Sequence, residues 1–540
     1  MSFSSLVVVF VLLSKWVHSE PTVKISQGTL RGTYGYDMDG NKFHKFLGIP
    51  YAKPPVKAFR FRNPEFPEPW DGILNATTDR KPCPQKGSGS EDCLYLNLFT
   101  RTLPSASTKP KPVIVYIYGG GFMSGSSNHL ERGPEFLLSQ DIVLVSFTYR
   151  LGLLGLIRFK NARLNVTGNM SFKDQVMALR WVQRNIEAFN GDPKQVTLFG
   201  DSSGSASVHY HVLSPLARGL FSKAIMLSGS ALTGWGDVQD INPVAIAQLL
   251  NSSINNELEA YRFFMESPAS VIVSLQDSLA LLRTTEDNLG NLGLVLERQS
   301  PSAFMYKRPI DIIRSGNYTQ GPLLIGYESR EGILFNYFLK VENRTIQAKD
   351  FLQPKVDFRN EKIRQYYVKR IQDLYFSGPN LEDNIISVMS DSYFVVGLIG
   401  TAQNHALTSN HPVYLYKSTL DTSVNYIKNL FKITNPGCSH GDDLGYIFNT
   451  NVSPEIRPGS VEDISRRRLV KMLANFAKYG NPTPSIDDVG IVWPPITSNK
   501  LNTLNIDVNY SLLVNPEYNR MLLWRDMFNE SNNTYNYLFT

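Results

Sequence analysis

The chain has 540 residues, of which 42% are apolar and 19% charged, and its formal net charge is +6. These proportions are typical of a globular protein and exclude a disordered one. The positive charge is mild for so long a chain and gives no reason to expect a nucleic-acid partner. The densest basic cluster, Arg466 to Arg468, lies in a helix predicted from Val461 to Tyr479, where a solvated helix face is expected.

The N-terminus carries an unbroken apolar run from Leu6 to Leu13. It is shorter than the roughly 20 residues that span a bilayer, so residues 1–19 are predicted to be a signal peptide, cleaved after Ser19. We therefore expect a secreted, extracellular protein with no membrane span. No linker tract or fixed-period repeat divides the rest, so residues 20–540 are predicted to form one domain.

Short apolar runs with flanking turn signals predict buried strands, and helical patterns such as Asp174–Phe189 lie between them. The predicted strands are Val113–Tyr118, Ile142–Tyr149, Val196–Phe199, Ala224–Leu227, Leu323–Ile325 and Val413–Tyr416. This alternation predicts an α/β fold with a central, mostly parallel sheet flanked by helices. Two mostly helical segments, 239–287 and 341–404, interrupt this alternation of strands and helices. They are predicted to be insertions over the sheet that shape a substrate site.

The segment from Leu198 to Ser207 reads LFGDSSGSAS, with four serines within six residues. A nucleophilic serine at a sharp strand-to-helix turn favours glycine two residues before and two after it, because the backbone approaches closely there. Only Ser202 meets this rule, since Gly200 and Gly204 flank it. Ser202 is therefore the predicted nucleophile.

An oxyanion hole for such a serine needs N–H groups arranged in advance. The predicted strand Val113–Tyr118 is followed directly by three successive glycines, whose backbone N–H groups are not shielded by side chains. Gly120 and Gly121 are the predicted donors, together with the N–H of Ser203. A phosphate-binding loop is excluded, because the chain has no GxxxxGK[ST] motif.

The base must be one of eight histidines. His440, in the polar loop GCSHGDDLGYIF, fits the order Ser, then Asp or Glu, then His, and His129 is the rival. Glu331 follows the strand Leu323–Ile325 and is the predicted acid, with Glu328 as the alternative. His209 and His211 form an HxH pair without a third ligand, so no metal site is expected.

Two further features agree with secretion. Cys83 and Cys93 flank a short polar loop and could form a bridge in an oxidising compartment, which leaves Cys438 as a buried, unpaired residue. The sequence also contains ten Asn-x-Ser/Thr sequons. Nine are candidate glycosylation sites, at Asn75, Asn165, Asn251, Asn317, Asn343, Asn451, Asn509, Asn529 and Asn532, and the tenth is at Asn169.

Taken in order, the motifs resemble those of the type-B carboxylesterase/cholinesterase family of α/β-hydrolases, most closely its insect carboxylesterases. The resemblance covers nearly the whole chain after the signal peptide. It rests on FLGIPYAKPP, SEDCLYLNLFT, YIYGGGF, NMSFKDQVMALRWVQRNIEAFNGDP, GDSSG, SREG, CSHGDD and NFAKYGNP.

The resemblance implies a serine carboxylesterase with Ser202, Glu331 and His440 as its triad and with Gly120, Gly121 and Ser203 as oxyanion donors. It also implies a Cys83–Cys93 disulfide and favours Glu331 over Glu328. The expected partner is a small-molecule ester, with no cofactor and no metal, and the chain is expected to be a monomer or a weak homodimer. Hormone, odorant and xenobiotic esters are all possible substrates.

Departures from the family pattern narrow this expectation. GDSSG replaces the usual GESAG or GQSAG, which disfavours a juvenile hormone esterase. The loop before SEDCLYLN is short and lacks a tryptophan, which disfavours choline esters. Two other classes stay open: a non-catalytic adhesion-type relative, and a protein that sequesters esters because deacylation is slow.

Overall fold

The computed structural model describes residues 20–279, 292–343, 345–352, 356, 358–497 and 500–530, with only the backbone for residues 487 and 488. The predicted signal peptide and the sequon at Asn532 lie outside these residues.

An eleven-stranded sheet forms the centre of the molecule, in the order β14-β13-β12-β11-β10-β9-β7-β8-β6-β4-β3. The strands are β1 (Thr22–Lys24), β2 (Thr29–Arg31), β3 (Thr33–Tyr36), β4 (Lys42–Pro50), β5 (Ile73–Asn75), β6 (Tyr95–Thr100), β7 (Lys111–Ile117), β8 (Val143–Phe147), β9 (Gly191–Asp201), β10 (Lys223–Leu227), β11 (Leu323–Glu328), β12 (Val413–Ser418), β13 (Asn502–Ile506) and β14 (Ser511–Val514). Within this order, the neighbouring strands β13, β12, β11, β10, β9, β7 and β8 are parallel to one another. Antiparallel strands extend the sheet at both ends. A separate three-stranded sheet has the order β1-β2-β5.

All six predicted strands are confirmed, and β9 and β11 extend furthest beyond their apolar runs. β9 starts at Gly191, five residues before Val196, because Gly191 pairs with Lys111 of β7. β11 continues to Glu328 and pairs with β12 as far as Ser418. Every residue of β11 is buried, the glutamate included. Apolar content marks the middle of a parallel strand, whereas backbone pairing decides where the strand ends.

Helices cover both faces of the sheet and fill the two insertions. They are α1 (Glu135–Leu138), α2 (Gly152–Leu156), α3 (Met170–Asn185), α4 (Ser203–Leu213), α5 (Pro243–Gln248), α6 (Glu257–Glu266), α7 (Ala269–Ser278), α8 (Pro309–Ser315), α9 (Gly332–Val341), α10 (Glu361–Tyr375), α11 (Leu381–Ser390), α12 (Val396–Thr408), α13 (Tyr426–Phe431), α14 (Leu444–Ile447), α15 (Val461–Tyr479), α16 (Ile486–Val489) and α17 (Tyr518–Glu530). The described parts of both predicted insertions are mostly helical, as expected.

The basic cluster on α15 differs from the prediction in one residue. Arg467 is partly exposed and pairs with Asp39 and Asp463. Arg466, in contrast, is 8% exposed, pairs with Asp463 and lies over the ring of Phe136. Arg466 therefore belongs to the packed side of α15, because its guanidinium finds both a carboxylate and an aromatic face there.

Helices α11 and α12 form one continuous helix, joined by a single wider turn from Asp391 to Val395. Among the described residues, this 28-residue helix alone has the length and apolar composition to cross a membrane. However, 83% of its most apolar window is buried inside the protein. We interpret it as a core helix.

Candidate active site

The sharp turn at Ser202 joins the end of β9 to the start of α4. Ser202 has φ 54° and ψ −125°, a conformation that costs a non-glycine residue about 1–3 kcal/mol. Its N–H donates to the carbonyl of Leu227 on β10 at 2.7 Å, which holds the turn in place. A Cβ at Gly200 would lie 2.4 Å from backbone atoms of Gly204, and one at Gly204 only 2.0 Å from the carbonyl oxygen of Ile117. Both flanking glycines are therefore required by close backbone contact.

Three of the predicted residues meet at this turn. Ser202 Oγ lies 2.9 Å from His440 Nε2, and His440 Nδ1 lies 2.6 Å from Glu331 Oε2. Glu331 is fully buried and His440 is 6% exposed. These residues come from three segments: the turn after β9, the turn after β11, and the loop between α13 and α14. The parallel order of the sheet places the ends of β9 and β11 at one edge.

Glu331 is fixed through its second carboxylate oxygen. Oε1 accepts hydrogen bonds from Ser228 Oγ at 2.6 Å and from the N–H of Glu328 at 2.8 Å. Ser228 was not predicted from the sequence, although its position directly after the predicted strand Ala224–Leu227 is typical of a residue at the site edge of the sheet. These two donors occupy Oε1 and fix the carboxylate, so that Oε2 faces the imidazole.

The charge of Glu331 governs the titration of His440. Burial lowers the pKa of the imidazole, but the charge and hydrogen bond of Glu331, together with the charges of Asp201 and Asp443, raise it by more, so the pKa lies above its ordinary value of 6.5. The Nδ1–H donates to Glu331, which leaves Nε2 of the neutral ring as an acceptor for the Ser202 hydroxyl. Below its pKa the ring is protonated at both nitrogens and accepts nothing, so any reaction that needs this base slows as the solution becomes more acidic.

Two aromatic rings hold the imidazole. The centroid of Phe394 is 4.6 Å and that of Phe335 is 5.5 Å from the centroid of the His440 ring. Phe394 lies in the wider turn between α11 and α12, where the N–H of Val396 bonds to the carbonyl of Asp391, five residues earlier. Neither ring was predicted from the sequence, since nothing in the residues around Phe335 or Phe394 indicates that they approach the histidine.

The fully buried carboxylate of Asp391 anchors this turn. It accepts a hydrogen bond from Tyr375 at 2.6 Å and one from Arg520 Nε at 2.7 Å. Trp524, also on α17, donates to the Tyr375 hydroxyl. The C-terminal helix therefore supports the segment that presents Phe394 to the imidazole.

The glycines after β7 lie beside the Ser202 turn. Gly120 has φ 121° and Gly121 has φ 63°, and a Cβ at Gly120 would lie 2.2 Å from the carbonyl oxygen of Ser124. No described residue accepts a hydrogen bond from the N–H of Gly120 or Gly121. These N–H groups are thus available to a ligand, as an oxyanion hole requires.

Asp201 connects the glycine loop to the turn. Its Oδ1 accepts hydrogen bonds from the Tyr116 hydroxyl at 2.7 Å and from the N–H of Gly119 at 3.1 Å. A Cβ on Gly119 would lie 2.6 Å from Asp201 Oδ2 and 2.8 Å from the Cβ of Ser202. The short aspartate side chain therefore ties the loop closely to the residue before the serine.

The hydroxyl of Ser203 also contacts the glycine loop, since its Oγ accepts a hydrogen bond from the N–H of Phe122 at 3.2 Å. We expect Ser203→Ala to remove this bond and leave a buried N–H unpaired, at a cost of about 1 kcal/mol. The expected result is a loss of about five-fold in kcat/KM for a p-nitrophenyl ester, because the backbone N–H of residue 203 remains. Ser207→Ala is the matched control, because the Ser207 hydroxyl bonds to the Ser203 carbonyl and to Gln175 on α3 and makes no bond to the glycine loop. Complete loss of activity in Ser203→Ala would mean that the wrong serine has been chosen.

The structure separates the other sequence candidates from this site. Glu328 Oε2 contacts the thiol of Cys438 instead of a histidine. His129 Nδ1 bonds to Asp79, and His211 bonds to Gln175. His209 pairs with His405 through their Nε2 atoms at 2.8 Å. Within the described ranges, no group of three or more His, Cys, Asp or Glu side chains is arranged to hold a metal ion.

The cysteines lie as expected, and most of the candidate sequons are accessible. Cys83 and Cys93 form a disulfide, and Cys438 is buried and unpaired. Eight of the nine candidate sequon asparagines are exposed, and the ninth, Asn532, lies outside the described residues. Asn169 is fully buried, and its side chain bonds to Val295 and Glu297, so in the folded chain its amide is inaccessible.

Comparisons with known proteins show the family of the chain. The carboxylesterase family model matches residues 19–524. Esterase E4 of Myzus persicae is 32% identical over 508 residues, which covers 89% of each chain. Juvenile hormone esterase of Tribolium castaneum is 31% identical over 507 residues and covers 86% of this chain and 84% of its own.

A solved structure is also similar. The crystal structure of juvenile hormone esterase from Manduca sexta, with OTFP covalently attached, matches with a TM-score of 0.81 and 27% identity over 94% of this chain and 100% of that chain. The sheet order and this similarity define an α/β-hydrolase. The chain belongs to the carboxylesterase family, and it is a carboxylic ester hydrolase.

Proposed function

We propose that the protein is a secreted serine carboxylesterase that hydrolyses its substrate through an acyl-enzyme on Ser202. The carrying observation is the continuous hydrogen-bond chain from Ser202 Oγ through His440 to Glu331. A nucleophile, a base and a buried group that orients the base are the minimum set for this chemistry.

In the proposed first step, Ser202 attacks the ester carbonyl while His440 Nε2 takes its proton. The imidazolium that forms is stabilised by Glu331, which keeps its negative charge. His440 then gives the proton to the departing alcohol oxygen, and the carbon–oxygen bond to the alcohol breaks. The acyl group remains on Ser202 Oγ.

The negative charge on the carbonyl oxygen needs donors during this attack. The N–H groups of Gly120, Gly121 and Ser203 are the proposed donors, and the fixed loop conformation means that they need not reorganise when the charge develops. In the second step, His440 takes a proton from water as the water oxygen attacks the acyl carbon. His440 then returns this proton to Ser202 Oγ, the bond from Oγ to the acyl carbon breaks, and the carboxylic acid is released.

Aromatic side chains favour an apolar ester as substrate. Phe335 and Phe394 pack on the His440 ring, and Trp235 connects Phe394 to Phe122, the residue after the glycine loop. Apolar walls with a few fixed polar groups are typical of small-molecule sites. Hormone, odorant and xenobiotic esters all fit this description. We propose that residues 20–540 act as one catalytic domain, as a monomer or weak homodimer without cofactor.

Active-site labelling tests the proposed acyl-enzyme. We expect a fluorophosphonate to add to the protein at one equivalent per chain, with the added mass on the tryptic peptide that contains Ser202. Lack of labelling, or a label on another serine, would contradict the proposal. The same protein separates turnover from sequestration: a stoichiometric burst of p-nitrophenol followed by negligible steady release would indicate a sequestering relative.

Secretion has its own test. The apolar run before Ser19, the Cys83–Cys93 disulfide and the exposed sequons support it. Expressed with its own N-terminus in insect cells, the chain should be recovered from the medium with Glu20 as its first residue. Retention inside the cells with residues 1–19 attached would contradict secretion.

A further inference from the structure

A second carboxyl group lies behind the catalytic residues and has no role in the triad. Glu328 ends β11, three residues before Glu331, and its side chain is fully buried. Its backbone N–H donates to Glu331, whereas its side chain points to the loop that holds His440. On that loop, Asp443 is 3% exposed and follows the histidine by three residues.

Each carboxyl group has one oxygen with a donor and one without. Glu328 Oε2 lies 2.6 Å from the sulfur of Cys438, which donates to it, and Asp443 Oδ2 accepts a hydrogen bond from the Tyr416 hydroxyl at 2.8 Å. Glu328 Oε1 and Asp443 Oδ1 are buried and have no donor among the described residues. The backbone brings the two side chains together, because β11, which ends in Glu328, pairs with β12, whose Tyr416 donates to Asp443, and the two carboxyl groups interact directly.

Two ionised carboxylates cannot satisfy each other, because both only accept hydrogen bonds, and their like charges repel in a buried site. A single proton between them resolves both problems, since a protonated carboxyl group donates one hydrogen bond. The Cys438 and Tyr416 donors occupy Glu328 Oε2 and Asp443 Oδ2, so the two oxygens without a donor remain for this proton. We propose that Glu328 and Asp443 share one proton and act as a positioning pair that keeps one negative charge, instead of two, behind His440.

The titration behaviour of the neighbouring groups supports this arrangement. Burial, together with the charges of Asp443 and Glu331, raises the pKa of Glu328 well above its usual value. Burial also raises the pKa of Asp443 to about 6. Both thiol and phenol are held in their protonated, donating forms, because burial raises the pKa of Cys438 and of Tyr416. The groups that face the pair are Glu331, Asp201, Cys438, Tyr416, Tyr446 and His440.

The count of charges matters for the reaction. Negative charge on Asp443 raises the pKa of His440. A second negative charge at Glu328 would raise this pKa further, so the base would stay protonated up to a higher pH. The shared proton therefore limits the basicity of His440. This consequence rests on the proposed function, since it assumes that His440 is the general base.

Amide substitutions test the proposal, because an amide can replace the shared proton with its own N–H. We expect Glu328→Gln and Asp443→Asn, each with one remaining carboxylate, to keep the acid limb of the kcat/KM profile within about 0.3 pH units of wild type. The double variant has no charge at the pair, and its acid limb should lie lower by on the order of one pH unit. Circular dichroism at each pH serves as the control for folding.

Two other outcomes would overturn the proposal. If both groups are ionised in the wild type, each single variant lowers the acid limb, and the double variant lowers it further. If both are neutral, no variant moves it. In either case the pair does not share one proton.

Infrared difference spectra provide a readout that does not depend on activity or on folding of the double variant. The spectrum of wild type minus that of Glu328→Gln, and of wild type minus Asp443→Asn, should each show a protonated-carboxyl C=O band at pH 7. Bands of other buried carboxyl groups, such as Asp442, whose pKa burial raises to about 7, cancel in these differences. A difference spectrum without the band, for either variant, contradicts the shared proton. Because this readout needs no turnover, it separates failure of the pair from failure of the proposed function.

Discussion

Replacement of Ser202 by alanine should lower kcat for a p-nitrophenyl ester by roughly 10⁶-fold, to the level that the oxyanion donors and substrate binding alone support. The reason is that His440 then has no hydroxyl to deprotonate, and no acyl-enzyme can form. Alanine fits the turn about as well as serine, since the unusual φ of 54° constrains both residues equally. Steady-state kinetics with a thermal unfolding curve would separate loss of chemistry from loss of fold.

Ser205→Ala is the matched control for this substitution. Ser205 lies on the same helix, is fully buried, and donates to the carbonyl of Gly229 at 2.6 Å. It should lose stability but keep kcat within about ten-fold, because its hydroxyl points away from His440. Activity of the Ser202→Ala enzyme above a few per cent of wild type would place the nucleophile elsewhere.

Replacement of Glu331 by glutamine should have the second-largest effect, a loss of about 10⁴-fold in kcat. The two donors at Oε1, Ser228 Oγ–H and the N–H of Glu328, fix the orientation of the new amide. Its carbonyl oxygen faces these donors, so its NH₂ faces His440 Nδ1. That contact requires an unprotonated Nδ1 and moves the proton to Nε2, which can then no longer accept the Ser202 proton.

The effect of Glu331→Gln should appear mainly in kcat, because the amide keeps the size of the side chain and the shape of the site. Glu361→Gln, an exposed carboxylate at the start of α10, is the control for the same chemical change at the surface. A Glu331→Gln enzyme within ten-fold of wild type would show that this carboxylate does not orient the histidine.

Much of the candidate site could be predicted because its constraints are local. Backbone atoms lie so close to Gly200 and Gly204 that neither position has room for a Cβ. Both positions therefore require glycine, and the glycines appear in the sequence at fixed spacing from Ser202. The glycines after β7 follow the same logic. The buried parallel strands could also be predicted, because both of their faces are apolar and each strand therefore appears in the sequence as a continuous apolar run.

The supporting residues could not be predicted in this way. Ser228 and Phe394 reach the triad from distant segments, and neither lies in a pattern that differs from ordinary packing. Residue spacing alone left Glu328 and Glu331 as alternatives, three residues apart at the end of one strand. The family resemblance favoured Glu331, and the turn after β11 shows the physical reason, because it directs Glu331 to His440 and Glu328 to Cys438.

The sequence by itself determined the family motifs, the alternation of strands and helices, and the serine at the sharp turn, because each depends on residues adjacent in the chain. Tertiary structure alone decided which rings pack on the histidine and that Glu328 meets Asp443 behind it. The physical reason is that these contacts join the ends of β11 and β12 to a loop more than a hundred residues from Glu328. Their energies depend on burial and on neighbouring charges, and both arise only when the sheet brings these segments together.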